Sequence, residues 1–392
     1  MLCEDYTQEF LELKGVILKK VENINNAKYF HLELIKGVHP CPVCGKLTSK
    51  VHDYRYQPVK DALLIRSKTI LYIKKRRYVC PDCGKRFYES LDFLPKYYRM
   101  TNRLAASVVD EFRHIQSIKS IARRYNISTT TTSRILDYVS YPISHLPEVL
   151  SIDEFKGNAG GNKFQCILTD AKNKRILDIL PSRKTEDLYS YFSKFKDRRN
   201  VKYVVIDMSH TYRDLAKSCF KDAKIVADKY HVVRQVTWAF EKVRKEVQKD
   251  FYKNRRIYFK RSRRLLLKRA CKLTENESEQ LESMLMLSER LREAYNIKEK
   301  FYDFMKSTNI TEARARMLEW NLYVGASRYD DFQKCFDTFR RWDKHILNAF
   351  DCPYTNGFTE GVNNKIKVLK RTSYGVRNFE RFRNRILHMM AA

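Results

Sequence analysis

Two short stretches, Cys41-Pro-Val-Cys44-Gly45 and Cys80-Pro-Asp-Cys83-Gly84, constrain this chain more than anything else in it. Each is a Cys-x-x-Cys knuckle followed by glycine, which lets the backbone turn its amides toward the thiolates. A redox dithiol needs only one such motif. Two similar ones make a four-thiolate set suited to tetrahedral zinc. The gap between them exceeds the commonest spacing, and a strand pair fills it: Leu63 to Val79 alternates and carries Lys68, Lys74, Lys75, Arg76 and Arg77. With Cys41, Cys44, Cys80 and Cys83 all as ligands, no coordination position stays open, so the expected zinc is structural and the module a docking unit. Residues 1 to 40 say little beyond alternating stretches such as Tyr29 to Ile35. Cys3, Cys166, Cys219, Cys271, Cys335 and Cys352 are scattered and read as small buried hydrophobes.

At 392 residues, 43% of them hydrophobic, the chain is long enough for several domains with real cores. Its 77 basic and 46 acidic residues leave a net charge of +31. That excess points to a polyanionic partner, nucleic acid before anionic membrane. No apolar run reaches the length of a membrane span. Met1 to Phe10 carries three acidic residues and no signal-peptide core. A cytoplasmic protein with reduced cysteines is expected.

Residues 101 to 140 pattern as three helices. Leu104, Val108, Phe112 and Ile115 share a helical spacing, and Ile118, Ile121, Ala122 and Tyr125 form a second short face. Asn126-Ile127-Ser128 is a turn with Ser128 as N-cap, and Thr129 to Val139 is a polar-fronted helix. Any small bundle shares parts of this pattern. A short helix, a tight turn and a helix opening on Ser, Thr and Arg is that of a helix-turn-helix. Thr130, Thr131, Ser133 and Arg134 are then expected in the major groove. Pro142 and Pro147 mark a linker.

From residue 148 strands alternate with helices. Glu148 to Lys156 is a strand carrying Asp153; Lys163 to Asp170 and Arg175 to Leu180 form a hairpin; Thr185 to Phe195 is a helix. Val201 to Ile206 is almost wholly apolar, hence a central strand, and ends at Asp207. Ser209 to Phe220 is a helix, and Ala223 to Ala227 a strand ending at Asp228, with His231 close behind. This is the strand order of a ribonuclease-H-like sheet, in which the first and fourth strands are neighbours and Asp153 stands beside Asp207. Further on, Tyr354 to Arg371 reads as a helix with Phe358, Val362, Ile366 and Leu369 on one side and Glu360, Asn364, Lys367 and Arg371 on the other. Singly, each feature fits a solvated strand end or helix face. Together, Asp153, Asp207 and Glu360 can hold two divalent ions about 3.5–4 Å apart around a phosphodiester, and oxygen-only ligands favour magnesium or manganese.

The motif set resembles the DDE transposases of bacterial insertion sequences, specifically the ISL3 family. The matching pieces are the two cysteine knuckles, the helix-turn-helix, Ser151-Ile-Asp153-Glu-Phe, Val205-Ile-Asp207-Met-Ser, Val226-Ala-Asp228-Lys-Tyr-His231, Tyr354 to Arg371, and Arg377-Asn-Phe-Glu-Arg-Phe-Arg-Asn-Arg-Ile386. They occur in family order over nearly the whole chain. The resemblance implies that Asp153, Asp207 and Glu360 are a magnesium-binding catalytic triad and that Lys367 lies near the terminal phosphate, with Arg371 beside it. It also implies double-stranded DNA partners (inverted-repeat ends and target), a homodimer on DNA, and a nucleoid-associated location. Asp228 and His231 are either active-site rim or structural. A DNA-binding regulator with a silent core and a structure-specific nuclease are the alternatives, and the intact triad argues against the first.

Between Asp207 and Glu360 lie 152 residues, more than a sheet core needs. Glu241 to Lys272 holds 14 basic and 3 acidic residues, with Arg255, Arg256, Arg261, Arg263 and Arg264 dense in the middle, which favours phosphate contact over a plain solvated face. Trp320 and Trp342 are core residues or platforms for an unpaired base. The expected architecture is multi-domain α/β: a zinc-ribbon-like module (1–100), a helix-turn-helix (101–145), a ribonuclease-H-like core (146–240) interrupted by an all-α basic insertion (241–345), and C-terminal core helices bearing Glu360 (346–392).

Overall fold

The computed structural model describes residues 11–391 apart from Ile65 and Arg328. The acidic stretch Met1 to Phe10, and Cys3 within it, lie outside the described residues. The chain begins with β1 (Val16–Ile24), β2 (Ala27–Leu34), the short β3 (His39–Pro40) and β4 (Leu47–Thr48), β5 (Val51–Leu64), β6 (Ser67–Val79) and β7 (Arg86–Tyr88). The sheet runs β1-β2-β6-β5, with β7 added to β6. Antiparallel β5 and β6 are the strand pair expected between the cysteine knuckles. Period-two alternation puts Phe30, Leu32, Val59, Leu71 and Ile73 on one face, where Leu11, Leu13, Val16 and Leu94 close a separate core. The module is thus larger than a bare ribbon, because β1 and β2 extend it.

Three helices follow: α1 (Asn102–Glu111), α2 (Ile118–Arg124) and α3 (Thr129–Asp137). Thr101, Ser117 and Ser128 cap them, each side chain accepting a backbone N–H of the first turn. Leu104, Val108, Phe112, Ile121, Ile135 and Leu136 form their core. Ile115, expected on the first apolar face, is 39% exposed. The chain leaves α1 before reaching it, to make the turn into α2.

The second sheet contains β8 (Val149–Phe155), β9 (Gln165–Asp170) and β10 (Arg175–Leu180), then, after α4 (Thr185–Ser193), β11 (Tyr203–Ile206), and, after α5 (His210–Cys219), β12 (Lys224–Ala227). Its order is β10-β9-β8-β11-β12. The first three strands are antiparallel and the last two parallel to β8, which is the ribonuclease-H-like order expected. Leu150, Ile152, Val204 and Ile206 point to one face and join α4, α5 and the helices beyond in a single core.

Those helices are α6 (Lys229–Val247), α7 (Lys253–Arg261), α8 (Arg263–Leu267), α9 (Glu275–Met286), α10 (Glu289–Met305), α11 (Ile310–Gly325) and α12 (Asp330–Leu347). α6 starts at the edge of the sheet and continues unbroken into the insertion. The opposite face of the sheet is covered by α13 (Gly357–Thr372) and α14 (Phe379–Met390). Val362, Ile366, Leu369, Phe382 and Ile386 pack there on Phe155, Ile167 and Ile179. Cys166, Cys219, Cys335 and Cys352 are buried as expected, whereas Cys271 is exposed, on a short turn between α8 and α9. Among the described residues no helix is long and apolar enough to cross a membrane.

Candidate active site

β8 and β11 are in register, with Ile152 opposite Ile206. The next residues are Asp153, still within β8, and Asp207, just past the end of β11, so the two carboxylates follow directly opposed residues of neighbouring strands. Alternation sends them away from the core of Ile152 and Ile206 and toward α13. Asn363 of that helix donates from Nδ2 to Asp153 Oδ2 at 3.0 Å. One turn before Asn363, Glu360 lies on the same helix, half-buried.

Electrostatics ties these groups together. Burial raises the Asp153 carboxyl above the usual range, and Asp228 adds to the rise. Burial and then Asp153 push Asp207 up to about 6. Burial, Asp228 and Asp153 raise Glu360, while His231 and Arg234 oppose the rise. Asp207 Oδ1 is buried with no hydrogen-bond partner. Like charges held in one cleft repel unless a cation lies between them. The donor set is all oxygen, which suits a hard divalent ion. Among the described residues only the four cysteines form a group of three or more metal-ligating side chains whose ligand atoms all lie within 4.8 Å of one another. Asp153, Asp207 and Glu360 share the cleft without closing to that spacing.

Asp228, at the N-terminus of α6, is buried. It accepts from His231 Nδ1 at 2.9 Å and from the backbone N–H of Asn356 at 3.3 Å. The Asp228 carboxylate raises the His231 pKa. The His231 charge opposes the rise at Asp153, Asp207 and Glu360 alike. Sequence reasoning missed the polar lining of α13. Asn356 and Thr359 are buried and bind Ser151 and Thr169, with Thr169 Oγ1 2.7 Å from Thr359 Oγ1. Thr359 and Asn363 are spaced i, i+4 on the sheet-facing side, the signal that marks them. Also missed was Glu154, held by Arg183 at 2.7 Å.

Asn364, Lys367 and Arg371 are exposed on the stripe of Glu360, and Lys367 Nζ donates to Asn364 Oδ1 at 3.3 Å. On α3, Thr130 and Arg134 are exposed and Thr131 and Ser133 half-buried, with Thr131 Oγ1 turned onto Ser128 at 2.8 Å. Arg255, Arg256, Arg261, Arg263 and Arg264 are exposed on α7 and α8. Arg263 is nevertheless committed to buried Glu241 at 2.7 Å. Trp320 and Trp342 are each 1% exposed, so they are core and not base platforms; Trp320 Nε1 donates to Ile297 O. The exposed tryptophan is Trp238 on α6, with the Arg234 guanidinium 4.3 Å above its ring.

The cysteine knuckles are near-copies of each other. Gly45 and Gly84 have φ of +73° and +69°. Their N–H groups return to the carbonyls of Cys41 and Cys80 at 2.9 and 3.1 Å. The Sγ atoms of Cys41 and Cys83, and of Cys44 and Cys80, are 3.5 Å apart. Backbone N–H of Cys44 and Val43 hold the Cys41 thiol down to about 6. Four converging thiols with amide support fit a structural zinc ion.

Three family models match successive parts of the chain. Residues 150–386 match a family model for the transposases of the ISL3 group, 37–83 the zinc-finger of transposase IS204/IS1001/IS1096/IS1165, and 89–140 the helix-turn-helix domain of transposase family ISL3. The chain is 26% identical over 352 residues to the transposase for insertion sequence element IS1001 of Bordetella parapertussis, covering 87% of this chain and 86% of that one. Partial likenesses, each over 28% of this chain, are to an ATP-dependent protease of Lactococcus lactis subsp. lactis, 32% identical over 34% of its length, and to the transcriptional repressor NrdR of Geobacter sulfurreducens, 32% identical over 64%. With one family model spanning the whole second sheet, its insertion and α13, and two more matching the modules before it, the chain belongs to the ISL3 family of transposases.

Proposed function

We propose that the chain binds the terminal inverted repeats of its insertion sequence, cuts the DNA there by a DDE two-metal mechanism, and joins the freed ends to target DNA. The observation that carries this is the register of β8 and β11, which presents Asp153 and Asp207 side by side toward the helix of Glu360. Asp153, Asp207 and Glu360 hold magnesium or manganese. The ions, when bound, supply Lewis-acid activation and charge neutralisation at the phosphodiester. Asn363 orients Asp153, and Asp228, paired with His231, adds a further carboxylate at the rim of the cleft. Asn364, Lys367 and Arg371 hold the DNA phosphate.

Thr130, Thr131, Ser133 and Arg134 read the repeat in the major groove, while Arg255, Arg256, Arg261 and Arg264 bind flanking phosphates. The zinc module, residues 1–100, steadies the helix-turn-helix of 101–145. The core of 146–240 and 346–392 does the chemistry, with 241–345 as the DNA-holding insertion, and a homodimer pairs two ends. Linear DNA with inverted-repeat ends, supplied with magnesium and a plasmid target, tests this. Joined products support it; cleavage of branched DNA without joining, regardless of end sequence, makes the chain a nuclease instead.

A further inference from the structure

We propose that α14 fixes the distance between the DNA sequence read by the helix-turn-helix and the phosphodiester cut at the carboxylates, with Arg381, Arg385 and His388 as positioning residues; this rests on the function proposed above.

α14 has two committed faces. Phe382, Ile386 and Met389 pack on the second sheet, and Arg383 Nε donates to Asp178 Oδ1 of β10 at 2.6 Å. The other face grips the helix-turn-helix at three places. Arg381 forks onto Asp137, the last residue of α3, with both N–O distances 2.7 Å. Arg385, 5% exposed, donates to the carbonyls of His114 and Gln116 at 2.6 and 3.2 Å and lies over the Phe112 ring. His388, 4% exposed, meets Tyr141 Oη at 2.6 Å and Val109 O at 2.8 Å. The linker is tied as well, since Arg383 Nη2 donates to Tyr141 O at 3.2 Å.

A buried guanidinium and imidazole are costly without partners, and here those partners belong to the reading module. A domain on a free linker samples many separations; one clamped at the end of α3, between α1 and α2, and at the linker is confined to one. α14 also follows α13, so the helix carrying Glu360 and the helix holding the reader are consecutive. A fixed separation in the protein translates into a fixed number of base pairs between the recognised sequence and the cut.

The test compares wild type, Arg381→Asp, and the swapped pair Arg381→Asp/Asp137→Arg in the full chain. Hydrogen exchange without DNA is the first readout. The single variant is expected to exchange about fivefold or more faster across 138–148 and α3, as loss of a forked ion pair and its replacement by repulsion implies, and the swap to recover. Unchanged exchange in Arg381→Asp, or no recovery in the swap, overturns the clamp. The second readout is the cut position on inverted-repeat DNA. Wild type and swap are expected to cut at one phosphodiester and Arg381→Asp at several adjacent ones. A cut equally sharp in the single variant overturns the distance role even if the clamp stands. If wild type makes no cut, the proposed chemistry fails and the exchange result alone decides on the clamp.

Discussion

Asp207→Asn measures the electrostatic cost of gathering these carboxylates. The side chain goes from an ordinary 3.8 up to about 6, through burial first and Asp153 second. A folded-state pKa raised above the unfolded one makes ionisation destabilising. The penalty is absent below about pH 4, where both states are protonated. It grows between about pH 4 and 6, where only the unfolded chain is ionised, and is complete above about pH 6. Two pKa units correspond to about 3 kcal/mol, and partial solvent exposure reduces this to about 1–2 kcal/mol. The uncharged isostere is therefore expected to be more stable than wild type by about that amount in EDTA at near-neutral pH, and no more stable near pH 4. Urea unfolding of both proteins across this range measures the difference. Magnesium is expected to reverse the order, stabilising wild type by mass action and the variant less. A variant that is unchanged or weakened in EDTA at neutral pH, or a difference that does not shrink on acidification, refutes the reasoning.

Other expectations follow from the same geometry. Metal analysis is expected to find zinc in wild type and little in Cys80→Ser, and amide protection at the β6–β7 end of the first sheet is expected to drop with it, because metal binding and local folding are one process. Arg134→Ala is expected to weaken binding to end DNA by about 1–3 kcal/mol in a titration against the matched sequence, and to change random DNA little. Replacing Arg256 and Arg264 with alanine is expected to lower the slope of log affinity against log salt by about 1 per lost phosphate contact. Arg263→Ala, already paired with Glu241, is expected to leave that slope almost unchanged and instead to lower unfolding stability by up to about 1 kcal/mol.

The second sheet was legible because its signals are local. Val201 to Ile206 is too apolar for anything but a central strand, and the carboxylate directly after it gains meaning only jointly with Asp153 and Glu360. Once the strand order is known, register alone brings Asp153 to Asp207. The cysteine knuckles were legible for a similar reason, since φ near +70° at Gly45 and Gly84 is written in the glycines. β1 was not legible: Val16-Ile-Leu-Lys-Lys-Val-Glu-Asn-Ile has no steady alternation, because it is an edge strand with only Val16 buried, hairpinned onto β2 through Asn25 and Asn26. The inner polar residues of α13 were hidden by their apolar neighbours Val362 and Ile366. Arg263 reads as one more phosphate-binding cation until Glu241 is seen beneath it. The clamp of α14 on the helix-turn-helix joins residues more than 240 positions apart, which no local pattern encodes.

The most direct measurement is magnesium-dependent cleavage of DNA carrying the element's own inverted-repeat ends, comparing wild type with Glu360→Gln. Nicking at the ends by wild type, absent in the variant although end binding persists, is the expected result. Equal end-specific cleavage by both proteins would remove Glu360 from the site and contradict the three-carboxylate account.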